Sequence, residues 1–142
     1  MTIRLLKDDP RATWPLKSTN GSAGFDLFPL DVVNLQPGEK QIIDTGIRVS
    51  ECSASVGLFI RARSRHFLTP LSVFHGTIDS DYRGRIKVGV QNTGTEILSV
   101  SPDEAIAQLV PVAIITTYEQ ADHVLESERG ERGGINNGIH SV

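Results

Sequence analysis

The sequence predicts an all-β protein, a sandwich, jelly roll or barrel, and two observations predict it. Short stretches rich in β-branched residues recur along the chain, and Gly and Pro turn signals punctuate them at short intervals. Ser18–Ala23 and Tyr118–Ser127 alone have a composition that permits helix; the first is short and holds Gly21, and the second lacks an apolar stripe.

Gln41-Ile42-Ile43 and Ile47-Arg48-Val49 read as strand pieces around Thr45-Gly46, following the turn Gln36-Pro37-Gly38-Glu39. Gly57-Leu58-Phe59-Ile60-Arg61 reads as the next strand. Arg85–Gln91 is the most regular: Ile86, Val88 and Val90 share one face, and Arg85, Lys87 and Gln91 share the other. That period of two marks a half-buried strand. Asn92-Thr93-Gly94 turns the chain into Thr95–Val100, and Ser101-Pro102-Asp103 turns it again. Leu109–Tyr118 is β-branched, with Pro111 pointing to an edge or a bulge. From Glu126 to Gly138 the sequence is rich in Gly and charge and offers little to bury. The expected division is a β core over 1–125 and a Gly/Arg-rich C-terminal lid over 126–142, mobile in isolation.

Length and composition set the outer limits. The 142 residues suit one domain, and 39% hydrophobic with 22% charged content argues against wholesale disorder. A net charge of -3 makes the whole-molecule field a poor attractor of nucleic acid, so an anion must meet a local site. Cys52 is the sole cysteine, which excludes an internal disulfide and a multi-cysteine zinc site. No apolar run approaches the ~18 residues of a membrane span, and the first ten residues carry charges where a signal peptide needs an apolar stretch. The expectation is an intracellular protein without membrane or nucleic-acid partners.

Four segments have chemical potential. Gly76–Gly84 places Asp79, Asp81 and Tyr82 just before the regular strand; in alternating geometry the two carboxylates share a side and can divide acid and base roles. The bland reading is a polar turn. Arg61-Ala62-Arg63-Ser64-Arg65-His66 is either an anion pocket built from guanidinium forks or a basic edge that discourages strand aggregation. Ala23-Gly24-Phe25-Asp26-Leu27 is weak alone. Gln108, within Ile106–Val110, is a paired core amide or a ligand contact. Cys52 reads as inert, and His66, His75, His123 and His140 have no metal-ligand spacing, although His75 adjoins the Gly76 segment.

In their order, Ala23–Leu27, Pro37-Gly38-Glu39 with Thr45-Gly46-Ile47, Arg63-Ser64, Gly76–Gly84, Ile106–Leu109 and Arg129-Gly130 resemble the trimeric deoxyuridine triphosphatases. The resemblance spans about residues 23–138, and the Asp79–Gly84 block is its most specific part. It implies a jelly-roll-like homotrimer with active sites shared between subunits, and Mg²⁺-dependent hydrolysis of dUTP to dUMP and pyrophosphate. It assigns Asp79 as the base that activates water, and Arg63, Ser64 and Gln108 as phosphate contacts. Asp26 holds Mg²⁺ through water, and Tyr82 stacks under deoxyribose. The hairpin Val73-Phe74-His75-Gly76-Thr77-Ile78 and the backbone near Lys87 form the uracil slot, which reads the base through main-chain groups. Two departures stand out. Arg65 occupies the place of a usual Gly and adds a candidate phosphate contact. The tail is one residue longer, with Ile135 where an aromatic usually covers the base, so either Arg129 or Arg132 can reach the γ-phosphate. The alternative is a catalytically weak or inactive trimer kept as a protein-interaction module, with the altered tail as its clue.

Overall fold

A computed structural model describes residues 1–132 and residue 135. Among them the chain forms β1 (Ile3–Lys7), β2 (Phe25–Leu27), β3 (Val33–Leu35), β4 (Lys40–Cys52), β5 (Val56–Arg61), β6 (Leu71–Val73), β7 (Thr77–Ile78), β8 (Arg85–Asn92), β9 (Leu98–Val100) and β10 (Ala107–Ala113). One sheet runs β1-β4-β8-β6, a second runs β2-β10-β5-β7, and β3 pairs with β9. Every pairing is antiparallel. The expected jelly-roll-like all-β architecture is what the chain adopts.

Alternation builds the core. Ile86, Val88 and Val90 of β8 are buried, while Lys87 between them is exposed. They join Ile43, Ile47 and Val49 of β4, Leu58 and Ile60 of β5, and Leu109 of β10 in one cluster. Each such side chain contributes about 1.5–3 kcal/mol on burial.

The two strand pieces around Thr45-Gly46 are one strand of 13 residues, β4, with an irregularity in its pairing to β8 between Asp44 and Arg48. Gly46 supplies the left-handed turn of that irregularity at φ +69°. The Thr45 hydroxyl donates to the Ile86 carbonyl at 2.7 Å, so the buried hydroxyl is satisfied.

Three expectations need correction. The strand over 95–100 is confined to Leu98–Val100, because the buried Asn92 amide clamps the turn before it. Asn92 Nδ2 donates to the carbonyls of Leu35 and Glu96, and its Oδ1 accepts from the Gly94 N–H. The last strand is Ala107–Ala113, not 109–118; Pro111 lies beyond the last residue paired to β2, where no second ladder can be broken. Neither permitted helix forms. Residues 118–127 are exposed and have no apolar face to dock, and an isolated helix of that length is marginal. The chain makes a 3-10 turn at Ser64–Leu68 instead, closed by the His66 N–H on the Arg63 carbonyl at 2.9 Å.

No helix among the described residues is long and apolar enough to cross a membrane.

Candidate functional site

The connection from β6 to β7 crosses between the sheets. The Phe74 N–H donates to the Gly89 carbonyl in the first sheet, and the Gly76 carbonyl accepts from the Ile60 N–H in the second, both at 2.8 Å. Where the sheets part, a cavity of about 250 Å³ opens. Gly76, Thr77, Ile78, Asp79, Tyr82 and Lys87 all line it, so the structure brings together six residues picked from the sequence. Phe74, of the hairpin assigned to the uracil slot, lines it as well, and so does Arg85, which was missed; its place directly after the Gly76–Gly84 block was the available signal.

Asp79 and Asp81 do not sit on an alternating strand. They belong to a turn in which the Tyr82 N–H donates to the Asp79 carbonyl at 3.1 Å, and Asp79 but not Asp81 lines the cavity. Asp and Ser favour such a turn over continuation of β7. The exposed Tyr82 donates its hydroxyl to the Arg85 carbonyl at 3.1 Å, which pins the ring.

A second cavity, of about 230 Å³, gathers Asp26, Arg63, Ser64, Arg65 and Gln108 with Ser18, Ser22 and Gly24. Strand register creates it. Gln108 on β10 stands opposite Asp26 on β2 and opposite Arg61 on β5, so their side chains share a face. Gln108 is both a paired amide and a cavity residue: its Nε2 donates to the Ala62 carbonyl at 3.1 Å. Arg63 Nε meets Asp26 Oδ1 at 3.0 Å, and the Ser18 hydroxyl donates to Asp26 Oδ2 at 3.3 Å. Arg65 makes no ion pair or hydrogen bond among the described residues and offers its charge to the same space. Ser18 and Ser22 were missed; the polar run before Ala23-Gly24 was the sequence signal.

The turn that presents Arg63 is tied down by histidines. The Arg63 N–H donates to His66 Nδ1 at 3.3 Å, and the Ala62 N–H donates to His75 Nε2 at 3.1 Å. Burial, then the charges of Arg63 and Arg65, holds the His66 pKa below the usual imidazole range. That shift favours the neutral ring that its acceptor role uses.

The remaining candidates lie elsewhere. Val73 lines a groove on the face of β4, β6 and β8 rather than the cavity beside Asp79, because β6 belongs to the first sheet. Arg129 and Arg132 are exposed and donate to each other's carbonyls at 2.7 and 3.1 Å. Ile135 is exposed. None of the three lines either cavity. The expected tail residues Gly133, Gly134 and Asn136–Gly138, and His140, lie outside the described residues.

No three His, Cys, Asp or Glu side chains converge as a metal cage among the described residues. Asp26 is the lone carboxylate lining this second cavity, though it also lines a neighbouring one with Asp103 and Glu104, and its oxygens already face Arg63 and Ser18. That donor set suits a hard cation that keeps most of its waters and is held chiefly by ligand oxygens, the habit of Mg²⁺.

Comparison with known proteins adds the family. The model of the dUTPase family matches residues 11–137. The Deoxyuridine 5'-triphosphate nucleotidohydrolase of Baumannia cicadellinicola subsp. Homalodisca coagulata is 40% identical over 124 residues, covering 84% of this chain and 83% of the relative. A Staphylococcus bacteriophage 80alpha dUTPase solved with dUPNHPP superposes with a TM-score of 0.83 at 26% identity, over 94% of this chain and 96% of that one. A mutant dUTPase from phage phi11 of S. aureus, whose structure describes coordination of a structural Mg(II) ion, superposes with a TM-score of 0.80 at 22% identity, over 89% and 100%. With the match running through both cavities and the turns that line them, this chain belongs to the dUTPase family.

Proposed function

We propose that the protein hydrolyses dUTP to dUMP and pyrophosphate, working as a homotrimer. The observation that carries this reading is the turn at Asp79–Tyr82, which brings a carboxylate residue and an aromatic residue to one cavity that Gly76–Ile78 also line.

That cavity suits a pyrimidine nucleoside. Backbone N–H and C=O groups at its edge read uracil by its donor and acceptor pattern, and a narrow slot rejects a base with the wrong pattern most strongly. The Tyr82 ring lies against deoxyribose and leaves no room for a 2′-hydroxyl. Asp79 accepts a proton from water as the water oxygen attacks the α-phosphorus. The bond from that phosphorus to the bridging oxygen breaks, and pyrophosphate leaves. Arg63, Ser64, Arg65 and Gln108 bind the phosphate chain, with guanidinium forks matched to its oxygens. Asp26 would hold Mg²⁺, and the ion would supply charge neutralisation on the triphosphate.

The two cavities share no lining residue. In the shared-site trimer we propose, the nucleoside site of one copy works with the phosphate site of another. Residues 126–142 act as the lid: Arg129 or Arg132 reaches the γ-phosphate, and Ile135 covers the base.

The test is pyrophosphate release from dUTP by the parent chain and by Asp79→Asn. The variant should keep the oligomer and bind dUTP while losing about 10²–10⁴-fold in turnover, the usual worth of a positioned base. Equal rates would remove Asp79 from the mechanism. A parent chain that binds dUTP without turning it over would leave an interaction module.

A further inference from the structure

We propose that Arg48, held by Asp8, is a positioning residue that sets the turn bearing Asp79 and Tyr82 and so tunes discrimination between deoxyribose and ribose. This rests on the nucleoside reading of the cavity beside Asp79.

The geometry starts from a conflict. Arg48 of β4 stands directly opposite Arg85 of β8, and like charges in that position repel. Asp8, just past the end of β1, resolves it. Its Oδ2 receives Arg85 Nε at 2.8 Å and its Oδ1 receives Arg48 Nη1 at 3.4 Å. Asp44 takes the other side of Arg85 at 3.0 Å. The hydrogen bond from Arg85, then that from Arg48, holds the Asp8 carboxyl below the usual carboxylate range.

With its Nη1 committed to Asp8, Arg48 donates its Nε–H to the Arg83 carbonyl at 2.6 Å. The Arg83 side chain folds back in turn, its Nη1 donating to the carbonyls of Ser80 at 2.7 Å and Tyr82 at 3.1 Å. Tyr82 closes the set through its hydroxyl on the Arg85 carbonyl. A run of charge-assisted bonds thus leads from Asp8, through Arg48 and Arg83, to the backbone of the turn that carries Asp79 and Tyr82, and the neutral bond of the Tyr82 hydroxyl closes it. Neither Arg48 nor Asp8 lines the cavity, so their influence passes through the backbone of the turn.

The experiment compares kcat/KM for dUTP and for UTP in the parent, Arg48→Met, Arg48→Lys and Asp8→Asn. Melting temperature and oligomer size are followed in each. Arg48→Met keeps the apolar stem and removes both bonds; its dUTP-to-UTP ratio should fall about tenfold, in line with loss of a bond from a charged donor. Asp8→Asn should lower the ratio about threefold, and Arg48→Lys should recover most of it. Hydrogen exchange over residues 79–84 should quicken in Arg48→Met beyond the change in the rest of the core. A folded Arg48→Met with the parent's ratio and exchange overturns the proposal. If Arg48→Met does not fold, the parent's ratio in Asp8→Asn overturns it instead. No dUTP turnover in the parent defeats the nucleoside reading; the positioning role is then decided by exchange in the turn alone.

Discussion

The amide oxygen of Gln108 occupies the place that a Cβ on Gly24 would need. Gln108 Cδ and Val110 Cγ2 stand 3.1 Å from the same point, so the side chain of β10 is seated against bare backbone of the Ala23-Gly24 segment. This close approach explains why a glycine stands two residues before Asp26, and it locks the Gln108 amide between that backbone and the Ala62 carbonyl. Gly24→Ala should therefore destabilise by about 1–3 kcal/mol through overpacking and push the Gln108 amide out of its seat. Turnover should fall at least tenfold, with KM for dUTP rising. Chemical denaturation and steady-state kinetics check both; Gly24→Ala with parental KM would show that Gln108 does not need that seat.

Tyr82 makes two separable contributions. Its ring faces the cavity, and its hydroxyl holds the Arg85 carbonyl. Tyr82→Phe keeps the ring and loses one neutral hydrogen bond, worth about 0.5–1.5 kcal/mol; dUTP turnover should change by less than about tenfold. Tyr82→Ala removes the wall itself, and the preference for dUTP over UTP should collapse by more than tenfold. Rates on the two nucleotides decide between ring and hydroxyl. An unchanged preference in Tyr82→Ala places ribose rejection elsewhere.

Most of the site was legible because its residues cluster in sequence as well as in space. Asp79, Tyr82 and Gly76–Ile78 fall in one short segment, and the Ile86-Val88-Val90 alternation that follows anchors it. The meeting of Asp26, Gln108 and Arg63 was suggested by family resemblance and is produced by strand register, which local periodicity does not encode. The 3-10 turn at Ser64–Leu68 escaped because part of its stabilisation is a local side-chain bond that hydrophobic periodicity does not register: the Arg63 N–H bonds the His66 ring. The end of β10 at Ala113 escaped for a related reason. Ile114 and Ile115 have strand composition, but β5, their potential partner, begins at Val56, opposite Ala113.

His66 gives the phosphate turn a pH dependence whose sign follows from its surroundings. Burial and the neighbouring Arg63 and Arg65 lower its folded pKa. Above about pH 6.5, the usual imidazole value, neither folded nor unfolded chain protonates it and the group adds no pH dependence. Below that value the unfolded chain binds the proton first, so folding is penalised increasingly until the folded value is passed. Protonation also removes the Nδ1 acceptor from the Arg63 N–H. Urea midpoints between about pH 5 and 7.5 should fall more steeply with acid for the parent than for His66→Asn, with the divergence starting below about pH 6.5. A pH-independent difference between the two proteins would remove His66 as the source.

Truncation after Glu128 tests the lid. Residues 118–132 are exposed and form no strand, and among the described residues the side chains of Arg129 and Arg132 bond only backbone of their own segment. Removing them should leave the strands and the buried core intact, with a melting temperature within a few degrees of the parent. In the proposed lid, however, the truncation also takes away the guanidinium of Arg129 or Arg132 that reaches the γ-phosphate, along with the Ile135 side chain assigned to cover the base. Charge clamps of this kind on a transferring phosphoryl group are worth about 10²–10³ in turnover, so kcat/KM for dUTP should fall by at least a hundredfold. Removing Arg129 and Arg132 one at a time by Arg→Ala substitutions in the full chain then separates them: the guanidinium that meets the γ-phosphate is the one whose loss reproduces most of the truncation. Full activity in the truncated chain would mean that the site closes without its tail, and the Ile135 departure would then be without consequence for catalysis.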